Sequence, residues 1–141
     1  MRGIYLLHLR VFEDAMIRVG SLGKILFKRG DYAYVGSAQR ALEKRIMRHA
    51  LRRKPLRWHI DYLTTSPKVS TLEAIGYDLP RRYECIVAKY LEKEGFKPIK
   101  GFGSTDCSCT SHLYMIDKRF SLLIERLSSY LGVKPLKLDL R

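Results

Sequence analysis

Hydrophobic and polar residues follow two different periods along the chain, which together predict short strands mixed with amphipathic helices. The extended runs cover residues 3–9, 16–19, 24–28, 32–36, 69–75 and 112–116. Gly20 and Gly23 separate two of the early runs and predict a hairpin or bulge there. Because the early runs lie close together in sequence, antiparallel pairing is the default. The pattern therefore predicts an α+β fold built on a small, mainly antiparallel sheet.

Apolar residues spaced three or four positions apart predict helices that flank this sheet. Their predicted limits are Ser37 to Lys54, Leu79 to Glu94 and Asp117 to Leu131. Ser37 and Asp117 are residue types that commonly cap a helix N-terminus, and Gly95 and Gly132 suit a helix C-terminus. Residues 56–63 fit either a strand or a short helix.

The composition is that of one basic domain. The 141 residues are 46% hydrophobic, which is enough for a core, and nothing in the pattern resembles a linker. Lys and Arg number 27 against 14 Asp and Glu, so the formal net charge is +13. A clustered excess of this kind is typical of nucleic-acid binding. Residues 133–141 alternate leucine with charged side chains, which fits an edge strand or a partner-docking tail.

Cysteine content and hydropathy indicate a reducing compartment. The cysteines are three in number (Cys85, Cys107 and Cys109), which does not suggest a disulfide framework. No apolar run approaches the roughly 20 residues of a membrane span, and no secretory leader is recognisable. We therefore expect a cytoplasmic protein that does not bind a membrane.

The first predicted helix carries a basic face beside a mixed one. The candidate contacts to a nucleic-acid backbone are Arg40, Lys44, Arg48, Arg52 and Arg53. Arg45 and His49 lie one turn apart, between the basic face and the apolar row. Arginine presents a planar set of donors to phosphate oxygens. His49 is suited to bond the same phosphate or to move a proton.

Two short signatures near the start of the chain carry a resemblance to a known family. They are Gly3-Ile4-Tyr5 and Tyr34-Val35-Gly36, on predicted neighbouring strands. Further motifs follow in order: Tyr32 to Ala38, Arg45-x-x-x-His49, Trp58 to Leu63, Glu84-Cys85 and Gly101 to Leu113. On these residues the chain resembles the GIY-YIG nuclease superfamily, and within it a largely archaeal branch sometimes fused to endonuclease III-type glycosylases.

The resemblance implies a metal-dependent endonuclease that hydrolyses DNA phosphodiester bonds, in repair or on branched DNA. It places Tyr5 near the attacking water, with a role in deprotonating it, and Tyr34 in support. It implies that Arg45 binds the phosphate and that Glu84 binds one Mg²⁺ or Mn²⁺ ion. DNA is the expected partner, with RNA as an alternative. A repair glycosylase is a further expected partner, and the leucine-rich tail permits a homodimer. The rival function is a catalytically inactive nucleic-acid-binding module that serves a repair protein.

Two departures from the superfamily pattern bear on fold and catalysis. The interval between the signatures is longer than usual, which predicts an inserted hairpin around Met16 to Lys28. The asparagine that many relatives carry late in the domain has no counterpart, and Ser111 or His112 occupies that region. The second departure concerns catalytic competence more than the fold.

Polar residues in the later loops are further candidates for a cleft. They are His59, Asp61, Asp106, Ser111 and His112. Cys107, Cys109 and His112 are also zinc ligands by type. Their spacing matches no strong zinc pattern, and a fourth ligand would have to be Asp106 or the distant Cys85. We therefore expect this loop to border the cleft, with zinc as the less favoured alternative.

Overall fold

The computed structural model describes residues 1–104 and 107–141. Within them the strands are β1 (Gly3–Val11), β2 (Ala15–Arg18), β3 (Lys24–Phe27), β4 (Gly30–Ala38), β5 (Val69–Tyr77), β6 (Lys97–Pro98), β7 (Leu113–Ile116) and β8 (Leu136–Asp139). The helices are α1 (Leu42–Arg48), α2 (His59–Thr64), α3 (Tyr83–Lys93) and α4 (Phe120–Leu131). The α+β class predicted from the sequence is confirmed.

The main sheet has the strand order β6-β7-β4-β1-β5-β8, and every neighbouring pair is antiparallel. The short strands β2 and β3 pair only with each other, as the inserted hairpin that the sequence predicts. The tail forms the edge strand β8 against β5, which is one of its two predicted conformations. No helix in the described parts of the chain is long and apolar enough to cross a bilayer.

The central strand β1 is covered on both faces, so its side chains alternate between two cores. Ile4 and Leu6 pack on one face with apolar residues of α3 and α4. Tyr5 and Leu7 pack on the other face with α1, α2 and the hairpin. Because successive side chains of a strand point to opposite faces, the position of Tyr5 between Ile4 and Leu6 assigns its phenol to the α1 side.

The first helix is shorter than predicted, because β4 continues through Ala38. The strands β1 and β4 pair over their full lengths, so Ser37 lies in a strand and is not a helix cap. The helix occupies Leu42–Arg48 only, and the chain then runs through turns and irregular structure to residue 58. The predicted helix end at Lys54 is therefore wrong.

The remaining helix boundaries are closer to the predicted ones. Residues 59–64 form the helix α2, which decides between the two conformations left open for this segment. The N-cap position of α4 is Arg119, so the predicted cap at Asp117 is wrong. Gly132 ends α4 in the left-handed conformation with φ 73°, as its residue type predicts.

Candidate functional site

A cavity of about 400 Å³ opens at the end of β4 and receives side chains from both faces of the sheet. Its polar lining includes Tyr5, Tyr34, Ser37, Arg40, Arg45, Arg81, Glu84 and His112. The structure thus brings six of the predicted site residues together: Tyr5, Tyr34, Arg40, Arg45, Glu84 and His112. Because three arginines accompany one carboxylate in this lining, the cavity favours an anionic ligand.

Tyr5 and His49 form a buried hydrogen-bonded pair at the cavity wall. The phenol oxygen of Tyr5 lies 2.6 Å from Nε2 of His49. Burial raises the pKa of Tyr5, Tyr34 raises it further, and Arg45 opposes both effects. Burial also lowers the pKa of His49 to about 3. Both groups are therefore neutral at pH 7, so Tyr5 is a hydrogen-bonding group and a poor base.

The other ring nitrogen of His49 indicates the direction of this hydrogen bond. Nδ1 is buried and has no hydrogen-bond partner among the described residues. A buried N–H without an acceptor is rarer than a buried lone pair without a donor. We infer that Nε2 carries the ring proton and donates a hydrogen bond to the Tyr5 oxygen. The Tyr5 O–H is then free to donate a hydrogen bond into the cavity.

His49 itself is fully buried and does not line the cavity. Direct contact with a phosphate, which is one role the sequence suggests for it, does not fit this position. Its contact with Tyr5 makes it a positioning residue, because the imidazole holds the phenol oxygen in place.

Gly36 provides the space in which the Tyr5 ring lies. The two residues are directly opposite in the β1–β4 ladder, and a Cβ at position 36 would overlap the Tyr5 ring and hydroxyl. The glycine of the second signature is thus required by a close side-chain approach. Tyr34 lies beside them, with its ring centroid 6.5 Å from that of Tyr5, and burial raises its pKa as well.

Arg45 is held at the cavity by Trp58 and by the end of β4. Its guanidinium carbon lies 4.6 Å from the centre of the Trp58 ring, and Nη1 donates to the backbone oxygen of Ser37 at 3.1 Å. A guanidinium has five N–H donors, and this is the only hydrogen bond that the Arg45 side chain makes within the described residues. Several donors therefore remain for an anion, and the aromatic face fixes their plane.

Glu84 lies in the first turn of α3 with its side chain about one-fifth exposed. Its Oε2 accepts a hydrogen bond from the Ser37 hydroxyl at 2.6 Å, and its Oε1 lies 3.8 Å from Nδ1 of His112. A carboxylate and a hydroxyl beside an open cavity are hard oxygen ligands. They fit a Mg²⁺ or Mn²⁺ ion that keeps most of its water ligands.

Arg48 and Asp61 form an internal ion pair beside Trp58, and neither residue lines the cavity. Two parallel hydrogen bonds of 2.8 and 3.1 Å join their side chains, and the backbone N–H groups of Arg57 and Trp58 also donate to Asp61. Burial raises the pKa of Asp61, but these four bonds outweigh it and hold the pKa below its usual value. Asp61 therefore anchors the segment before α2 and is not part of the cleft.

The residues of the predicted basic face have different environments in the structure. Arg52 donates to the backbone oxygens of residues 64, 66 and 69, so it joins chain segments in the same way as Arg48. Arg40 lines the cavity, and Lys44 and Arg53 are exposed. The side chains of these last three are available to a nucleic-acid backbone, and that role stays a prediction.

The other cleft candidates have different environments. His59 accepts the backbone N–H of Gly103 through Nδ1 at 2.8 Å, and burial lowers its pKa. Ser111 is buried and bonds the backbone of Leu113, which is a structural contact. Asp106 lies outside the described residues.

A second group of donors adjoins the cavity behind Glu84. Cys107, Cys109 and His112 meet Cys85 of α3, and one donor atom from each lies within 4.8 Å of the others. The sulfurs of Cys85 and Cys109 are in direct contact. Of the two fourth donors that the sequence offers, Cys85 of α3 joins the group, and Asp106 lies outside the described residues.

Ser37 and Arg81 are site residues that the sequence does not indicate. Ser37 has the residue type of a helix cap, and its place in β4 depends on pairing with β1. Arg81 lies just before α3 and belongs to none of the sequence motifs. Both reach the cavity because α3 packs against the end of β4, a contact that residue spacing does not reveal.

The chain belongs to the family described as Domain of unknown function DUF123, whose family model matches residues 4–132. No curated protein and no solved structure gives a significant match.

Proposed function

We propose that this member of the DUF123 family is a metal-dependent endonuclease of the GIY-YIG type that hydrolyses DNA phosphodiester bonds. The observation that supports the proposal is the convergence of Tyr5, Arg45 and Glu84 on one positively charged cavity. These residues are separated by about 40 positions each, and the resemblance assigns each of them a different step of the same reaction.

In the proposed mechanism, Arg45 and Arg40 bind the non-bridging oxygens of the scissile phosphate, where charge increases in the transition state. The Tyr5 hydroxyl orients the attacking water by a hydrogen bond. Glu84, with Ser37, would hold a divalent cation that acts as a Lewis acid and lowers the pKa of bound water. In this mechanism Tyr5 orients the attacking water and does not deprotonate it, because burial raises the pKa of its phenol.

The surface charge supports DNA as the substrate. The net charge of +13 favours a polyanion, and the exposed Lys44 and Arg53 extend the basic surface beyond the cavity. We propose that the protein acts in the cytoplasm, with a repair glycosylase as a candidate partner.

The second candidate function is a nucleic-acid-binding module without catalysis. The neutral Tyr5–His49 pair favours it, because neither member is a strong base in the free protein. Both candidates predict binding that weakens steeply with salt, and only the first predicts metal-dependent cleavage.

The test is a nicking assay on supercoiled plasmid and on a branched oligonucleotide, with Mg²⁺, Mn²⁺ or EDTA. We expect cleavage that requires the metal and is lost in Glu84→Gln and Arg45→Ala. Glu92→Gln is the matched control for Glu84, since Glu92 is exposed on the same helix, and it should cleave normally.

Each outcome distinguishes the two functions. Salt-sensitive binding without cleavage on either substrate would support the binding module. Cleavage that survives both cavity substitutions would show that the reaction occurs elsewhere on the protein.

A further inference from the structure

All three cysteines of the chain meet one histidine beside the candidate active site. Cys85 lies on α3, whereas Cys107, Cys109 and His112 belong to the loop that precedes β7. We propose that these four side chains bind one Zn²⁺ ion as a closed structural site. This inference does not depend on the nuclease function proposed above.

The spacing of the donor atoms suits a tetrahedral zinc ion. Zinc–sulfur bonds of about 2.3 Å and zinc–nitrogen bonds of about 2.0 Å place neighbouring ligand atoms roughly 3.5 to 3.8 Å apart. Sγ of Cys107 lies 3.4 Å from Nε2 of His112. All four donor atoms lie within 4.8 Å of one another, and the sulfurs of Cys85 and Cys109, which are in direct contact, would separate by side-chain rotation to complete the tetrahedron.

His112 has the contacts of a zinc ligand on both ring nitrogens. Its Nε2 faces the thiols, and its Nδ1 lies 3.8 Å from the carboxylate of Glu84. Histidine ligands commonly donate their second N–H to a carboxylate, which fixes the tautomer and strengthens the ligand. The ring is only 3% exposed, so the surrounding residues restrict its rotation.

A zinc ion explains more of the cluster than a disulfide does. The Cα atoms of Cys85 and Cys109 are 6.2 Å apart, a separation that a disulfide also spans. A disulfide would leave the Cys107 thiol and the His112 imidazole side by side without a function. A Cys₃His site uses all four groups, and it is a common composition for structural zinc.

The ion would attach the loop before β7 to α3. The described residues of this loop, 99–104 and 107–112, contain no helix or strand. A metal bond to Cys85 would hold the loop against the helix that carries Glu84. The zinc would therefore stabilise one wall of the cavity without contacting the substrate.

The first test measures zinc in the intact protein, purified with a reductant and dialysed. We expect one zinc per chain by elemental analysis. Cys107→Ser and His112→Asn should each retain less than half of it. Ser108→Ala is the matched control, because Ser108 is exposed between the two loop cysteines, and it should keep the full amount.

Two further measurements cover the case in which these variants fail to fold. Replacing zinc with Co²⁺ in the wild-type protein should produce the intense visible bands of tetrahedral cobalt and thiolate charge-transfer absorption. His112→Cys should retain one zinc, because it supplies a fourth thiolate. A folded wild-type protein that is free of zinc and cobalt bands under reductant would overturn the proposal. Stoichiometric iron in the purified protein, or a full zinc content in both Cys107→Ser and His112→Asn, would also overturn it.

Discussion

The buried imidazole of His49 should make the protein less stable in mild acid. Burial lowers its pKa from 6.5 to about 3, so the folded protein keeps His49 neutral while the unfolded chain binds a proton. The unfolded state therefore gains protons first as the pH falls. The contribution of His49 to stability is complete above pH 6.5 and is lost progressively as the pH falls toward about 3.

The size of the effect follows from this shift. Between pH 7 and pH 5, protonation of a histidine in the unfolded chain stabilises that chain by about 2 kcal/mol, with no matching gain in the folded protein. This corresponds to a roughly thirty-fold change in the ratio of unfolded to folded protein. The carboxylates add little in this range, because they titrate at lower pH.

The assay is urea unfolding followed by circular dichroism at both pH values, for wild type and His49→Gln. Glutamine does not titrate and can still bond the Tyr5 hydroxyl, so the variant should lose about 2 kcal/mol less than wild type. The other histidines are present in both proteins, and their contributions cancel. Equal losses in the two proteins would refute the reasoning, because they would mean that His49 is accessible to protons in the folded state.

Three other substitutions test the position of the Tyr5 ring, the Arg48–Asp61 ion pair and the proposed DNA contact of Lys44. Gly36→Ala should displace the Tyr5 ring and reduce cleavage about 100-fold, whereas an unchanged rate would show that the position of Tyr5 is unimportant. Arg48→Ala should lower the free energy of unfolding by about 3–5 kcal/mol, because it leaves the buried Asp61 carboxylate without its cation; a loss below about 1 kcal/mol in urea unfolding would contradict this. On a double logarithmic scale, DNA affinity measured by fluorescence anisotropy should fall linearly with salt. The slope should be smaller for Lys44→Ala, because this substitution removes one proposed phosphate contact, and an unchanged slope would exclude Lys44 from the interface.

Much of the sheet was predictable from local patterns, and the first helix was not. The strands β1, β4 and β5 have long apolar runs because both of their faces are covered, and such runs are visible in the sequence. The segment after Gly36 has the residues of a capped helix. Its backbone is extended as far as Ala38 because pairing with β1 outweighs the local preference of Ser37.

The sequence by itself determined the types of chemical group that the protein can use: two signature tyrosines, an arginine, a carboxylate, three thiols and a large excess of positive charge. Only the tertiary structure decided which of these groups act together. Arg48 and Arg52 are held by internal partners while Arg45 faces the cavity, although all three lie within eight residues of chain. Cys85 joins Cys107 only because α3 packs beside the loop. Residue spacing shows the side of an element on which a group lies, and its partner depends on packing between elements that are distant in sequence.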